Sequence, residues 1–104
     1  MTEYKPISNL VVKLKGCHNY EAAYYAYGTT IQRCALEPDN KYDPLAIKVI
    51  DDNGETIGYL ADGSTYREKV REAIENGYDV YAVIVENTLD EEYGYIKARF
   101  VMKE

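Results

Sequence analysis

The feature that most constrains the fold is a series of short β-type segments separated by turn-forming residues. Alternating apolar and polar positions, rich in β-branched and aromatic side chains, predict six strands at residues 10–14, 29–36, 46–50, 56–60, 79–86 and 93–102. Residues 51–54 end in an Asn-Gly pair, which favours a type I′ hairpin turn. Closing the strands into a small antiparallel barrel leaves few exposed edges. The sequence therefore predicts a mainly β fold with minor α content.

One segment has the pattern of an amphipathic helix, and we expect this main helix at about residues 64–76. Its apolar positions recur with the spacing of a single stripe. They are Tyr66, Val70, Ala73 and Ile74. Gly77 suits the position just past a helix end. A second segment, residues 20–28, is rich in alanine and tyrosine and favours one or two helical turns.

Length and composition suit one small domain. The chain has 104 residues, and Leu, Ile, Val and Phe together account for 23 of them, which is enough for a small core. We expect a single domain over residues 1–104. The first residues lack the apolar stretch of a signal peptide, and no apolar run approaches the roughly 20 residues of a membrane span. The sequence therefore predicts a cytoplasmic protein that does not act at a membrane.

The sequence offers little for catalysis, metal binding or cofactor binding. The one histidine, His18, directly follows Cys17, whereas a tetrahedral zinc site needs four ligands. A Cys-His hydrolase brings its pair together from distant segments, and neighbouring strand residues point to opposite faces. Cys17 and Cys34 are expected to be free thiols. Glycine-rich phosphate-binding motifs do not occur in the sequence, so we expect no metal, no cofactor and no enzyme activity.

The charge is negative and unevenly distributed. The net charge is −6; residues 1–52 hold six Lys/Arg against seven Asp/Glu, and residues 53–104 hold six against eleven. Such a balance excludes the broad basic surface that drives non-specific duplex binding. An anion-binding surface is more plausible in the first half of the chain. There, four lysines are candidates for one local patch: Lys13, Lys15, Lys41 and Lys48.

The loop between the second and third predicted strands has an unusual set of functional groups. Asn40 can donate and accept hydrogen bonds, Tyr42 offers a flat face for stacking, and the carboxylate of Asp43 suits a hydroxyl but repels a phosphate. Composition alone leaves an alternative open, namely a rigid loop without a ligand. In that alternative Asp43 caps backbone amides, Asn40 adopts a left-handed turn and Tyr42 covers the core.

Residues 36–60 resemble the HIRAN domain. The family pattern Arg/Leu-Glu-Pro-x-Asn-x-Tyr-Asp-x-x-Ala-Ile-x-Val, a glycine turn and a Gly-(Tyr/His)-Leu segment match this stretch without a gap. The order of the flanking elements extends the resemblance from Leu10 to the end of the chain. It implies a small OB-like or SH3-like six-stranded antiparallel β-barrel. HIRAN domains occur on DNA-repair helicases and as stand-alone bacterial and phage proteins, and a eukaryotic member captures the 3′-hydroxyl end of single-stranded DNA.

The resemblance implies a set of nucleic-acid contacts on Lys15, Asn40, Tyr42, Asp43 and Tyr59. In the DNA-binding member, the residue at Tyr42 stacks on the terminal base and the residue at Asp43 bonds the terminal 3′-hydroxyl. Tyr59 falls where that member has a histidine near phosphate. Lys15 falls on an arginine and keeps its charge without the bidentate fork.

The chain also departs from that member of the family. Two aromatic positions after Lys15 are replaced by Gly16 and Cys17, and Asp62 stands near the place of a basic residue. The tyrosine-rich segment that follows offers substitutes for the lost stacking faces. The candidates are Tyr20, Tyr24 and Tyr25.

These observations lead to two functional hypotheses. The first is a non-catalytic module that recognises single-stranded DNA ends through the 3′-hydroxyl in DNA repair or processing, with a helicase or nuclease as a protein partner. The alternative is a protein–protein interaction module on the same barrel that has lost DNA binding. Convergence of the tyrosines of residues 20–27 with Tyr42 and Asp43 favours the first hypothesis. Exposed tyrosines remote from Tyr42 favour the second.

Overall fold

The computed structural model describes residues 3–7, 10–27, 30–61 and 65–103. Within these ranges there are seven strands: β1 (Lys5–Pro6), β2 (Val12–Lys13), β3 (Ile31–Leu36), β4 (Ile47–Ile50), β5 (Thr56–Tyr59), β6 (Asp79–Asn87) and β7 (Ile96–Lys103). One α-helix, α1 (Thr65–Glu75), follows β5, and two short 3₁₀ helices, Cys17–Asn19 and Glu21–Tyr25, lie between β2 and β3. The predicted mainly β class and the main helix are confirmed. The predicted count of six strands is wrong, because Lys5 and Pro6 also pair with β7.

The strands form one antiparallel sheet in the order β1-β7-β6-β3-β4-β5, and β2 also pairs with β7. Just after β2, the amide of Leu14 donates to the carbonyl of Ile96 at 2.9 Å. Lys15 then exchanges two backbone hydrogen bonds with Tyr59 on β5, at 2.7 and 2.9 Å. Residues 12–15 therefore connect β7 to β5 and close the sheet into a barrel. This closure brings Lys15 next to Tyr59.

The interior of the barrel is filled by alternating strand residues and by one face of α1. The largest fully buried side chains are Phe100, Ile47, Ile57, Ile84, Ile96, Val49, Val70 and Val80. The predicted helix stripe faces this core, since Tyr66, Val70 and Ala73 are buried. The ring of Tyr66 packs edge-on against Phe100 with 5.1 Å between centroids. Its buried hydroxyl has no hydrogen-bond partner among the described residues.

The hairpin between β4 and β5 differs from the prediction. A type I′ turn needs positive φ at both central residues, but of residues 51–55, all of them described, Gly54 alone has a positive φ, of 80°. The side chain of Asp51 holds the turn instead. Its Oδ1 accepts from the amides of Asn53 and Glu55, both at 2.9 Å. The type I′ prediction is therefore wrong. Hydrogen bonds to the Asp51 side chain, and not a second residue with positive φ, stabilise this turn.

The start of β7 was also predicted too early. Tyr93 has a positive φ of 59°, and a Cβ on Gly94 would lie 1.8 Å from the carbonyl oxygen of Thr88. This close backbone contact keeps residues 93–95 in the loop, so β7 begins at Ile96. The helical turns predicted at residues 20–28 are 3₁₀ turns ending at Tyr25. The starts predicted at Thr29 for β3 and at residue 64 for α1 lie outside the described residues.

Cys17 belongs to the core. Its side chain is 3% exposed beneath β5, and a Cβ on Gly58 would lie 2.6 Å from its Sγ and 3.2 Å from the carbonyl oxygen of Lys15. Glycine at position 58 therefore lets the segment after β2 cross β5 at close range. Burial raises the pKa of the Cys17 thiol to about 11, so this thiol is a poor nucleophile at neutral pH. Cys34 is likewise a buried free thiol.

None of the helices that the structure describes is long and apolar enough to cross a membrane.

Candidate nucleic-acid interface

The loop between β3 and β4 is shaped by the side chain of Asn40. Its Oδ1 accepts hydrogen bonds from the backbone amides of Tyr42, at 2.9 Å, and Asp43, at 3.0 Å. Its Nδ2 donates to Oε1 of Glu37 at 2.7 Å. Such side-chain bonds to nearby amides are the usual way in which asparagine builds a turn. Asn40 therefore holds Tyr42 and Asp43 in place.

The rigid-loop alternative agrees with only part of this geometry. Asp43 does cap a backbone amide, since its Oδ1 accepts from Leu45 at 3.1 Å. Asn40, however, does not have a positive φ, so it does not form the left-handed turn. Tyr42 is 99% exposed and does not cover the core. Its ring is fully available for stacking.

The carboxylate of Asp43 has a cationic partner that the sequence analysis missed. The first turns of α1 bring Arg67 to the loop, where its Nη1 donates to Oδ2 of Asp43. Arg71, one turn further along α1, reaches the carbonyl of Pro44 at 3.4 Å. The helix therefore contacts the loop through two arginines, of which Arg67 binds the Asp43 carboxylate.

Glu37 connects the loop to β5. Its Oε1 accepts from the hydroxyl of Tyr59 at 2.9 Å, and its Oε2 lies 3.4 Å from Nζ of Lys48. Burial raises the pKa of Glu37, but hydrogen bonds from Tyr59 and Asn40 and the charge of Lys48 outweigh it, so this pKa lies below its ordinary value. Burial and the bond to Glu37 raise the pKa of Tyr59. Tyr59 is thus a neutral hydrogen-bonding group.

These elements enclose a cleft of about 360 Å³ between residues 15–20, the β3–β4 loop, β5 and α1. All of the contact residues implied by the family resemblance line it: Lys15, Asn40, Tyr42, Asp43 and Tyr59. Tyr20 and Arg67 line it as well. The structure thus brings together residues from four separate segments of the chain.

Gly16 and Cys17, which stand in place of two aromatic residues of the family member that binds DNA, offer no ring for stacking. Gly16 lines the cleft in a left-handed conformation with a φ of 76°, and Cys17 is buried. Tyr20 does line the cleft, and its ring centroid lies 6.1 Å from that of Tyr59. Asp62 lies outside the described residues.

The other predicted stacking residues are elsewhere. Among the described residues that line the cleft are neither Tyr24 nor Tyr25. The hydroxyl of Tyr24 lies 3.3 Å from Nδ1 of His18, whose Nε2 donates to the carbonyl of Gly94 at 2.9 Å. Tyr25 is 65% exposed and, with Glu21 and Glu55, lines a neighbouring hollow that shares Tyr20 with the cleft. The tyrosine-rich segment is therefore divided between the cleft and the outer surface.

The predicted patch of four lysines is also divided. Lys15 lines the cleft, while Lys41 and Lys48 line a shallow hollow on the other side of Tyr42. Lys13 is not among the described residues that line either hollow. The four lysines therefore do not line one hollow, because Lys13 lies on β2, Lys15 follows β2, Lys41 lies in the β3–β4 loop and Lys48 lies on β4.

Lys13 belongs to a cation–aromatic patch, which we call the Tyr95 patch and which consists of Lys13, Tyr95 and Lys97. The ammonium groups of Lys13 and Lys97 lie 4.7 and 5.1 Å from the centre of the Tyr95 ring. Lys13 and Lys15 are two residues apart along one extended segment and so point to the same side. Lys13 of the Tyr95 patch therefore lies on the same side of this segment as Lys15 of the cleft.

Among the described residues, no group of three or more His, Cys, Asp or Glu side chains is arranged to hold a metal ion. His18 and Cys17 also do not lie on a strand, as the sequence analysis assumed, but on a 3₁₀ helix.

A closed antiparallel barrel with an aromatic and polar cleft on one side defines a small binding module. Comparison with known families identifies which one. The family model described as the HIRAN domain matches residues 7–67, which is more than half of the chain. The protein therefore belongs to the HIRAN domain family.

Two solved structures share the fold. A structural-genomics target from Lactobacillus plantarum, LpR91B, aligns with a TM-score of 0.76 and 14% identity over 100% of this chain and 97% of its own. The HIRAN domain of human HLTF aligns with a TM-score of 0.70 and 16% identity over 96% of this chain and 78% of its own. At these identities the two structures establish the fold alone. No curated protein sequence matches the chain.

Proposed function

We propose that the protein is a non-catalytic module that binds the ends of single-stranded DNA through the terminal 3′-hydroxyl. The HIRAN family is known as a DNA-binding module, and the chain retains its Asn-x-Tyr-Asp loop. One observation carries the proposal. A fully exposed aromatic ring, that of Tyr42, stands on the rim of a cleft that the carboxylate of Asp43 also lines.

The two groups suit the two parts of a terminal nucleotide. Stacking on Tyr42 contributes about 1–3 kcal/mol per base and does not depend on sequence. The Asp43 carboxylate accepts a hydrogen bond from a terminal hydroxyl, and a bond to a charged group contributes roughly 1.5–3 kcal/mol. A terminal phosphate is negatively charged, so the same carboxylate repels it. The cleft is therefore expected to prefer a 3′-hydroxyl to a 3′-phosphate.

The local charge of the cleft supports an anionic ligand although the whole chain has a net charge of −6. Lys15 and Arg67 line the cleft with Asp43, and the nearby Glu37 is paired with Lys48. We propose that the strand leaves the cleft along β2 towards the Tyr95 patch, where the ammonium groups of Lys13 and Lys97, both over the Tyr95 ring, are placed to contact a phosphate. With few phosphate contacts, binding should depend only weakly on salt.

Fluorescence anisotropy with short oligonucleotides tests this function. The ligands carry a 3′-hydroxyl, a 3′-phosphate or a 2′,3′-dideoxy end, with a blunt duplex as control, each at low and moderate salt. Preferential binding of the free 3′-hydroxyl supports the proposal. Equal binding of all single-stranded ends, or no binding even at low salt, contradicts it.

The wider role of the module is part of the same proposal. We propose that it serves DNA repair or processing in the cytoplasm and delivers a helicase or nuclease to DNA ends. One observation favours the alternative of a protein–protein interaction module. Tyr25 and Tyr27 are more than half exposed, and tyrosine is enriched in interface hot spots. If no oligonucleotide binds, this surface becomes the leading candidate for function.

A further inference from the structure

We propose that Arg67 is a positioning residue that determines the preference of the cleft for a terminal hydroxyl. This inference rests on the proposed function of the cleft. Arg67 belongs neither to the Asn-x-Tyr-Asp loop nor to the Gly-(Tyr/His)-Leu segment. It acts through Asp43, whose carboxylate it binds.

The geometry fixes both oxygens of that carboxylate. Oδ1 of Asp43 accepts from the amide of Leu45 at 3.1 Å, and Oδ2 accepts from Nη1 of Arg67. The Arg67 side chain is only 12% exposed, against 30% for that of Asp43. A guanidinium confined in this way cannot easily follow a moving partner, so it holds the carboxylate plane in one orientation. Each carboxylate oxygen can accept two hydrogen bonds, and anchoring therefore does not exclude a ligand hydroxyl.

The backbone of the loop is held by contacts other than the ion pair between Arg67 and Asp43. The amides of Tyr42 and Asp43 are held by Asn40 Oδ1, and the carbonyl of Pro44 is contacted by Arg71. Neither contact involves Arg67. Without Arg67, the contacts of Asn40 and Arg71 are expected to keep the loop in shape, whereas the Asp43 side chain loses its ion pair at Oδ2.

This division makes a specific test possible, because a general electrostatic role and a positioning role affect different quantities. Loss of a cation weakens binding of every DNA end in the same proportion, and this effect cancels in a ratio of affinities. Loss of orientation weakens only the end that carries the hydroxyl. The informative quantity is therefore the affinity for a 3′-hydroxyl oligonucleotide divided by that for the same oligonucleotide with a 2′,3′-dideoxy end.

The variants are Arg67→Gln, Arg67→Lys and the matched control Arg71→Gln. Arg71 carries the same charge on the same helix and contacts the same loop, through the carbonyl of Pro44 and not through the Asp43 carboxylate. We expect a ratio of at least about 10 in the unmodified protein, the lower end of what one hydrogen bond to a charged group contributes. Arg67→Gln should lower the ratio to below 2, and Arg71→Gln should leave it unchanged. Arg67→Lys keeps the charge without the planar fork and should give an intermediate ratio.

Each result of these measurements either supports or overturns the proposed role of Arg67. A ratio that stays near 10 in Arg67→Gln, or that falls equally in Arg71→Gln, overturns the role of Arg67 and leaves the proposed function standing. A ratio of 1 in the unmodified protein overturns the proposed function as well. Backbone amide NMR spectra establish that each variant is folded. If Arg67→Gln does not fold, an unchanged ratio in Arg67→Lys overturns the proposal.

Discussion

Replacement of Tyr42 by alanine tests the contribution of this ring to binding without affecting the stability of the fold. The Tyr42 side chain is 99% exposed, so it contributes almost nothing to the packing of the free protein. Whatever contact its ring makes with a base is gained only on binding. The variant Tyr42→Ala should therefore weaken binding without changing the free energy of unfolding.

The size of the loss follows from the area that a stacked base covers. An enclosed aromatic side chain buries on the order of 200 Å², and one ring face is about a third of this, or ~65 Å². At about 25 cal/mol per Å², covering that face contributes ~1.6 kcal/mol. This value lies within the range of about 1–3 kcal/mol measured for base–aromatic stacking. We expect the dissociation constant for a single-stranded 3′-hydroxyl oligonucleotide to rise ~15-fold.

The assay is fluorescence anisotropy, with thermal unfolding measured on the same preparations. Tyr42→Phe keeps the ring and should bind as the unmodified protein does. Tyr93→Ala is a matched control, because Tyr93 is also highly exposed, at 90%, but is not among the described residues that line the cleft. An unchanged affinity in a folded Tyr42→Ala protein would remove Tyr42 from the site and refute the stacking argument. An equal loss in Tyr93→Ala would point to a non-specific effect of surface tyrosines.

Three further predictions concern end recognition, the core and acid stability. Asp43→Ala should abolish the preference for a 3′-hydroxyl over a 3′-phosphate in the anisotropy assay, and an equal loss on both ends would contradict the role of Asp43. Tyr66→Phe should raise the free energy of unfolding by up to about 1 kcal/mol in urea titrations, since it removes a buried hydroxyl without a described partner; a loss of stability would reveal a bond that this hydroxyl makes. Because the pKa of Glu37 is lowered on folding from its ordinary value of 4.5, its contribution to stability is present above pH 4.5 and is lost as pH falls through the lower folded value. Glu37→Gln should therefore reduce the loss of stability below pH 4.5, and a steeper loss than in the unmodified protein would count against this assignment.

The elements with local sequence signals were predicted well. The stripe containing Tyr66 and Val70 identified α1, because helical periodicity is visible within a dozen residues. Alternating residues identified the longer strands in the same way. The loop at Asn40 was predicted less well, because the left-handed turn considered for Asn40 is absent and its bonds to the amides two and three residues later were not foreseen.

Short or side-chain-supported elements were harder to predict. β1 is two residues long and is stabilised by its pairing with β7, so its own sequence carries almost no strand pattern. The turn before Gly54 depends on which amides the Asp51 side chain reaches. The Asn-Gly pair alone is compatible with more than one turn.

The sequence by itself determined α1, the longer strands, the family and the residue types of the loop that carries Tyr42 and Asp43. The tertiary structure alone decided what surrounds that loop. Arg67 is 24 residues from Asp43 in the chain, and it reaches the carboxylate because α1 packs beside the β3–β4 loop. Lys15 lies next to Tyr59 because the backbone closes the barrel there. Such contacts depend on which distant segments pack together, and no pattern within a single segment encodes them.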